Sequence, residues 1–114
     1  MRLTSRHVRA TYDCFRNLPP FDRWRLPEHV EFRVTSSRQV YGTYQLVRGK
    51  HRITISRHNV KCFQALTITV AHEMLHLRQE LTGTCNERSQ HNRDFVRLAK
   101  RVCKVLGFSD SGFV

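Results

Sequence analysis

Apolar positions along this chain recur with two different periods, and the boundaries between them divide it into elements. From about Thr4 to Leu18, Val8, Tyr12 and Phe15 follow helical spacing, with Leu3 just ahead. Thr4 or Ser5 can cap that helix and Pro19-Pro20 ends it. Phe21, Trp24 and Leu26 pin the connector to Pro27 onto the core. The period then drops to two. His29–Thr35 alternates Val30, Phe32 and Val34 against Glu31, Arg33 and Thr35. Gln39–Val47 alternates Val40, Gly42, Tyr44 and Leu46 against Tyr41, Thr43 and Gln45, and His51–Ser56 puts Ile53 and Ile55 on one face. The short turns Ser36-Ser37 and Arg48-Gly49-Lys50 make an antiparallel meander the simplest arrangement. Gly42 within its strand marks a bulge or a close approach by a neighbour.

Beyond Asn59, a candidate N-cap, the pattern is helical again to about Leu81, where Gly83 stops it. Thr67-Ile-Thr-Val70 is β-branched and locally favours a strand, a preference that burial is expected to override. Thr82–Gln90 reads as a polar loop, and a last helix runs from about Asn92 to Leu106, ending at Gly107. For Ser109–Val114 a loose and a packed tail are equally compatible with the residues. The pattern predicts an α+β fold: an N-terminal helix, a three-stranded mainly antiparallel sheet and two further helices. One core is all that 114 residues support, so the expected organisation is a single domain over 1–114.

The most apolar helix contains His72-Glu-Met-Leu-His76, an H-E-x-x-H pentapeptide. Residues four apart stand one turn above each other, so both imidazoles can reach one zinc ion. Glu73 lies about 100° further round the helix, beside the metal without ligating it, where a general base would act on water. A catalytic zinc takes a third protein ligand and keeps an open position. The metzincin continuation requires Gly at 79 and His at 82, and the chain has Gln79 and Thr82. The candidates are His91, which shares a helix face with Phe95, Leu98 and Val102, and Glu87 in the preceding loop. Asp94 is a candidate for orienting a ligand or a solvent-facing carboxylate in a first helical turn.

Charge changes the picture. Lys+Arg number 20 against nine Asp+Glu, a net charge of +11 with histidine neutral. Such an excess suggests a polyanionic partner, most often nucleic acid. Arg93, Arg97, Lys100, Arg101 and Lys104 form a stripe on the last helix, with Arg88 nearby, suited to DNA phosphates or simply to solvent. No stretch nears the roughly 20 apolar residues of a membrane span, and Met1–His7 has no apolar signal region. The expected location is intracellular, cytoplasmic or nucleoid-associated. Cys14, Cys62, Cys85 and Cys103 form no C-x-x-C pair and are expected to be reduced, with Cys62 and Cys103 in the core.

His72-Glu-Met-Leu-His76, followed after fourteen residues by His91-Asn-Arg-Asp-Phe95, resembles the SprT-like (Spartan-type) zinc metalloproteases. Ser37–Tyr44, then Ile53–Ser56, then the metal helix follow that family's order. The resemblance spans roughly residues 1–107, with Asn92 standing where the family often has glycine. It implies a minimal zincin-like peptidase domain without a zinc ribbon, holding one catalytic Zn²⁺ on His72, His76 and His91 with Glu73 as base. It also implies protein or peptide substrates laid along a sheet edge, for which the strand Val40–Val47 is the candidate. Larger members cleave proteins bound or crosslinked to DNA. Two other classes fit the residues: a basic nucleic-acid-binding module with a structural zinc, and a zinc-dependent nuclease. Tyr41, Tyr44 and His51 could stabilise an oxyanion but read first as strand-surface residues.

Overall fold

The computed structural model describes residues 2–84, 91–109 and Phe113. The first helix, α1, spans Ser5–Arg16 with Thr4 as its N-cap. His7 accepts the Thr4 backbone N–H through Nδ1 at 3.0 Å, and the buried face is Val8, Thr11, Tyr12 and Phe15. A single 3₁₀ turn at Phe21–Arg23 follows. Phe21, Trp24 and Leu26 are all buried, as the connector's pattern requires.

Three strands come next: β1 (Glu31–Thr35), β2 (Gly42–Val47) and β3 (Lys50–Ser56). Their order in the sheet is β1-β3-β2, so the predicted meander is corrected. β2 and β3 form an antiparallel hairpin, while β1 pairs with β3 in parallel, Phe32 opposite Ile53 and Val34 opposite Ile55. β3 takes the centre because Ile53 and Ile55 are its fully buried pair, and a central strand is the best covered. Residues 36–41 do not turn back as a hairpin but cross the end of β3. Four hydrogen bonds hold that crossing: Arg57 N–H to the Thr35 carbonyl (2.7 Å), Ser56 N–H to Tyr41 (2.8 Å), Ser56 Oγ to Ser37 (2.5 Å) and Asn59 Nδ2 to Val40 (2.6 Å). Asn59 is therefore a crossover clamp and not the helix cap. The β2–β3 turn is the two-residue kind, with both Arg48 (φ 52°) and Gly49 (φ 78°) left-handed, as the strand twist favours.

The helix that carries the H-E-x-x-H pentapeptide, α2, runs from Phe63 to Thr82 with Cys62 as N-cap and Gly83, at φ 70°, closing it. Cys62 is exposed, contrary to the core position expected of it, whereas Cys103 is buried. Thr69 and Val70 of the β-branched run are buried, which is how packing overrides their strand preference. Gly42 explains how closely β2 lies on this helix: a Cβ there would sit 2.8 Å from Thr69 Cγ2 and 3.1 Å from the Thr54 carbonyl oxygen. The last helix, α3, spans Arg93–Leu106 with Asn92 capping it through the Phe95 N–H. Its buried face, Phe95, Leu98, Ala99, Val102 and Cys103, joins one core with α1, α2 and the sheet.

Candidate metal centre

The helical repeat of α2 stacks His72 and His76 on one side, and the start of α3 brings His91 against them. One ligand nitrogen from each of the three lies within 4.8 Å of the others. Around a tetrahedral zinc with bonds of about 2.1 Å, such nitrogens are roughly 3.4 Å apart, so closure requires shifts of about an ångström. Phe95 supplies the floor. Its ring, fully buried, stacks on His91 (4.3 Å between centroids, 5° between planes) and His76 (4.7 Å, 24°), and meets His72 edgewise at 5.1 Å. Among the described residues no fourth His, Cys, Asp or Glu joins the cluster.

His72 Nδ1 is 2.8 Å from the Phe113 carbonyl. A carbonyl can only accept, so Nδ1 carries the proton and Nε2 is left as the ligand atom. Burial holds the His72 imidazole below its usual range, against the opposing pull of that carbonyl. Burial, then the neighbouring His72 and His91 rings, push His76 down to about 4. Both shifts favour the neutral imidazole that binds a metal. Burial raises the Glu73 carboxyl to about 8. A cation beside it would favour the carboxylate and oppose that rise.

Glu73 and His72 form part of the wall of a cleft of about 550 Å³, together with Ile68, Thr69, Phe113 and the Val40–Gly42 stretch entering β2. The residues thus fit a zinc ion: three imidazoles within reach of one another, two of them held toward the neutral form by burial, and a carboxyl that lines the cleft beside His72.

Gln79 continues the His72–His76 face by one more turn and is fully buried. Its Nε2 donates to Asn92 Oδ1 (2.9 Å) and Asp94 Oδ2 (3.1 Å), while Oε1 has no partner among the described residues. Asn92 also donates from Nδ2 to the Thr84 carbonyl at 3.0 Å. This bracket fixes the chain on both sides of the loop that leads to His91. Asn92, at the position where glycine is common, is a structural member of it. Asp94 bonds Gln79 and Arg97, not a histidine, so it acts on the junction. Partial burial raises its carboxyl, but hydrogen bonds from Arg97, Gln79 and Thr84 outweigh that and hold it below the usual range.

Neither Gln79 nor Phe113 stood out in the sequence. Gln79 is signalled only by its place on the histidine face, and a backbone carbonyl such as that of Phe113 has no residue signature. Arg93, Arg97, Lys100, Arg101 and Lys104 are all exposed along α3, with Arg97 paired to Asp94 at 2.7 Å. Tyr44 and His51 bond each other at 2.6 Å, whereas the exposed Tyr41 lines the cleft. Glu87, Arg88 and Cys85 lie outside the described residues.

With the three histidines, Phe95 and the cleft in view, the comparison with known families is decisive: the SprT-like family profile matches residues 10–111. The chain belongs to the SprT-like family. No curated protein matches it. Membership accounts for a peptidase-like fold, built among the described residues on three α-helices and a three-stranded sheet. Among the described residues no helix of this SprT-like chain is long and apolar enough to cross a membrane.

Proposed function

We propose that this SprT-like chain is a zinc-dependent metalloendopeptidase. The observation that carries the proposal is the cluster of His72, His76 and His91, whose ligand nitrogens lie within 4.8 Å of one another and of which His72 lines an open cleft together with Glu73. A structural zinc is enclosed by four protein ligands, whereas a catalytic one keeps a position free. Three ligands among the described residues, and a cleft beside them, therefore favour catalysis over the structural-zinc module. Zinc, when bound, supplies a Lewis acid that polarises the scissile carbonyl and acidifies water.

The chain's own residues do the rest. Phe113 and Phe95 hold the imidazoles in place, the first by its carbonyl and the second by its ring. Glu73 accepts the proton of the attacking water and delivers it to the leaving amine nitrogen, one carboxylate serving both halves of the reaction. β2 is an edge strand with its entry lining the cleft, so an extended peptide adds to it by main-chain pairing. Nucleic acid is the partner suggested by the net charge of +11 and the exposed α3 stripe, which would bring DNA-associated proteins to the cleft.

The test is cleavage of an unstructured protein by the zinc-loaded chain, with and without single-stranded DNA. Glu73→Gln should keep its zinc and lose turnover by about 10²-fold or more. Normal cleavage by that variant would remove Glu73 from the mechanism. Cleavage of nucleic acid in place of protein would transfer the site to a nuclease.

A further inference from the structure

We propose that a second recess, separate from the cleft beside Glu73, is a phosphate-binding site for a nucleic-acid backbone. It lies between the 3₁₀ turn, the C-terminal end of α2 and the outer side of α3, with a volume of about 310 Å³. Its wall includes four arginines, Arg23, Arg78, Arg97 and Arg101, beside Trp24 and Asp94, and it shares no residue with the cleft. This rests on the nucleic-acid part of the reading above and is independent of the zinc chemistry.

Three different elements deliver guanidinium groups to one concavity. Asp94 is the one carboxylate on its wall among the described residues, and Arg97 already holds it at 2.7 Å. Arg23, Arg78 and Arg101 have no carboxylate partner among the described residues. Like charges gathered without counter-charges work against the fold, so the arrangement is complete only with an anion in it. Arg78 is held in advance: its Nη1 donates to the Trp24 carbonyl at 3.1 Å and its guanidinium lies 5.8 Å from the indole centroid. Four of its five N–H donors are left for a ligand.

The chemistry of the anion follows from the residue type and the surroundings. All four cations are arginines, whose planar forks match phosphate oxygens in pairs. The positive surface continues beyond the recess through Arg93, Lys100 and Lys104 of α3, so the ligand is a chain of anions and not an isolated one. A nucleic-acid strand supplies one charge about every 3.4 Å. Trp24 is buried, leaving no exposed ring for base stacking. The contact is with the backbone and independent of sequence.

The test uses the full chain and a fluorescein-labelled single-stranded DNA, with anisotropy measured over a series of KCl concentrations. Two double variants remove the same charge: Arg23→Gln with Arg101→Gln inside the recess, and Arg93→Gln with Lys104→Gln outside it. All four side chains are exposed, and unchanged zinc content and thermal unfolding establish that each variant folds. The recess pair should weaken binding about tenfold or more and flatten the log–log salt slope by about 1.4, the value for two phosphate contacts to a single strand. The outer pair, which flanks the recess on the same strand path, should weaken it too, but several-fold less than the recess pair. Equal losses from both pairs would overturn the recess and leave a diffuse basic surface. A wild-type chain that binds no DNA at low salt would remove the nucleic-acid reading and the recess with it, while protein cleavage lost in Glu73→Gln would still stand.

Discussion

Glu73 combines two opposed requirements in one side chain. As the proposed base it must touch the cleft to exchange protons there, yet it is only 5% exposed, and burial raises its carboxyl to about 8. The consequence for stability has a definite sign. Between the unfolded value of 4.5 and the folded value of about 8, the metal-free native chain binds a proton that the unfolded chain has lost. Stability from this group therefore falls as pH rises through that window and is level outside it. His72 and His76, both lowered, act in the opposite sense, since the unfolded chain binds their protons first as pH falls below 6.5. Subtracting Glu73→Gln from wild type cancels the histidines. The difference in metal-free unfolding free energy should move against the wild type between about pH 5 and 8. Parallel curves for the two proteins would show that the carboxyl is hydrated, not buried. At this scale the sequence was legible where chemistry has a spacing: His72, Glu73 and His76 within one turn, and His91 on the face of Phe95. It was silent on Phe113, whose contribution to His72 is a backbone oxygen that any residue could offer.

Elements are where the reading and the molecule diverge most. The helices α1 and α3 kept their expected faces because the 3.6-residue period marks burial directly. Strand order has no such mark. The pattern of β1, β2 and β3 gives each a buried side but not a neighbour, and the residues that settle the order, Ser56 and Asn59, act through hydrogen bonds to loop carbonyls. The junction of α2 with α3 was equally hidden, because Gln79 reads as an ordinary polar residue until its burial is known. Its bracket to Asn92 and Asp94 sets where His91 stands relative to His76. Gln79→Leu keeps the volume and removes both hydrogen bonds. Zinc affinity should then fall by about 10- to 100-fold, the usual range for groups that orient ligands. Chelator competition would measure it, with the cobalt-substituted protein's visible spectrum reporting the changed ligand geometry. Unchanged affinity would mean that His91 is placed by Phe95 alone.

At the scale of the whole molecule, the metal is a proposed cross-link between parts that are distant in sequence. His72 and His76 belong to α2, His91 precedes α3, and Phe113 bonds His72 across 41 residues. The single core, built on residues from Leu3 to Phe113, was legible from length and periodicity, but the histidine cluster at its edge depends on the His91 junction and on Phe113. An ion binding only the folded chain stabilises it by mass action, by about 2.7 kcal/mol at a hundred times the dissociation constant. For a domain of this size that is a rise of roughly 10 °C in Tm. Calorimetry with and without zinc should show it for the wild type. His91→Ala should lose most of the zinc-dependent rise while its metal-free Tm falls by only a few degrees, since His91 is exposed and its ring covers one face of Phe95. Glu73→Gln should keep the full rise, which separates binding the ion from using it. If His91→Ala kept the rise as well, the third ligand would have to come from elsewhere, and α3 would serve only as the wall against which α2 packs.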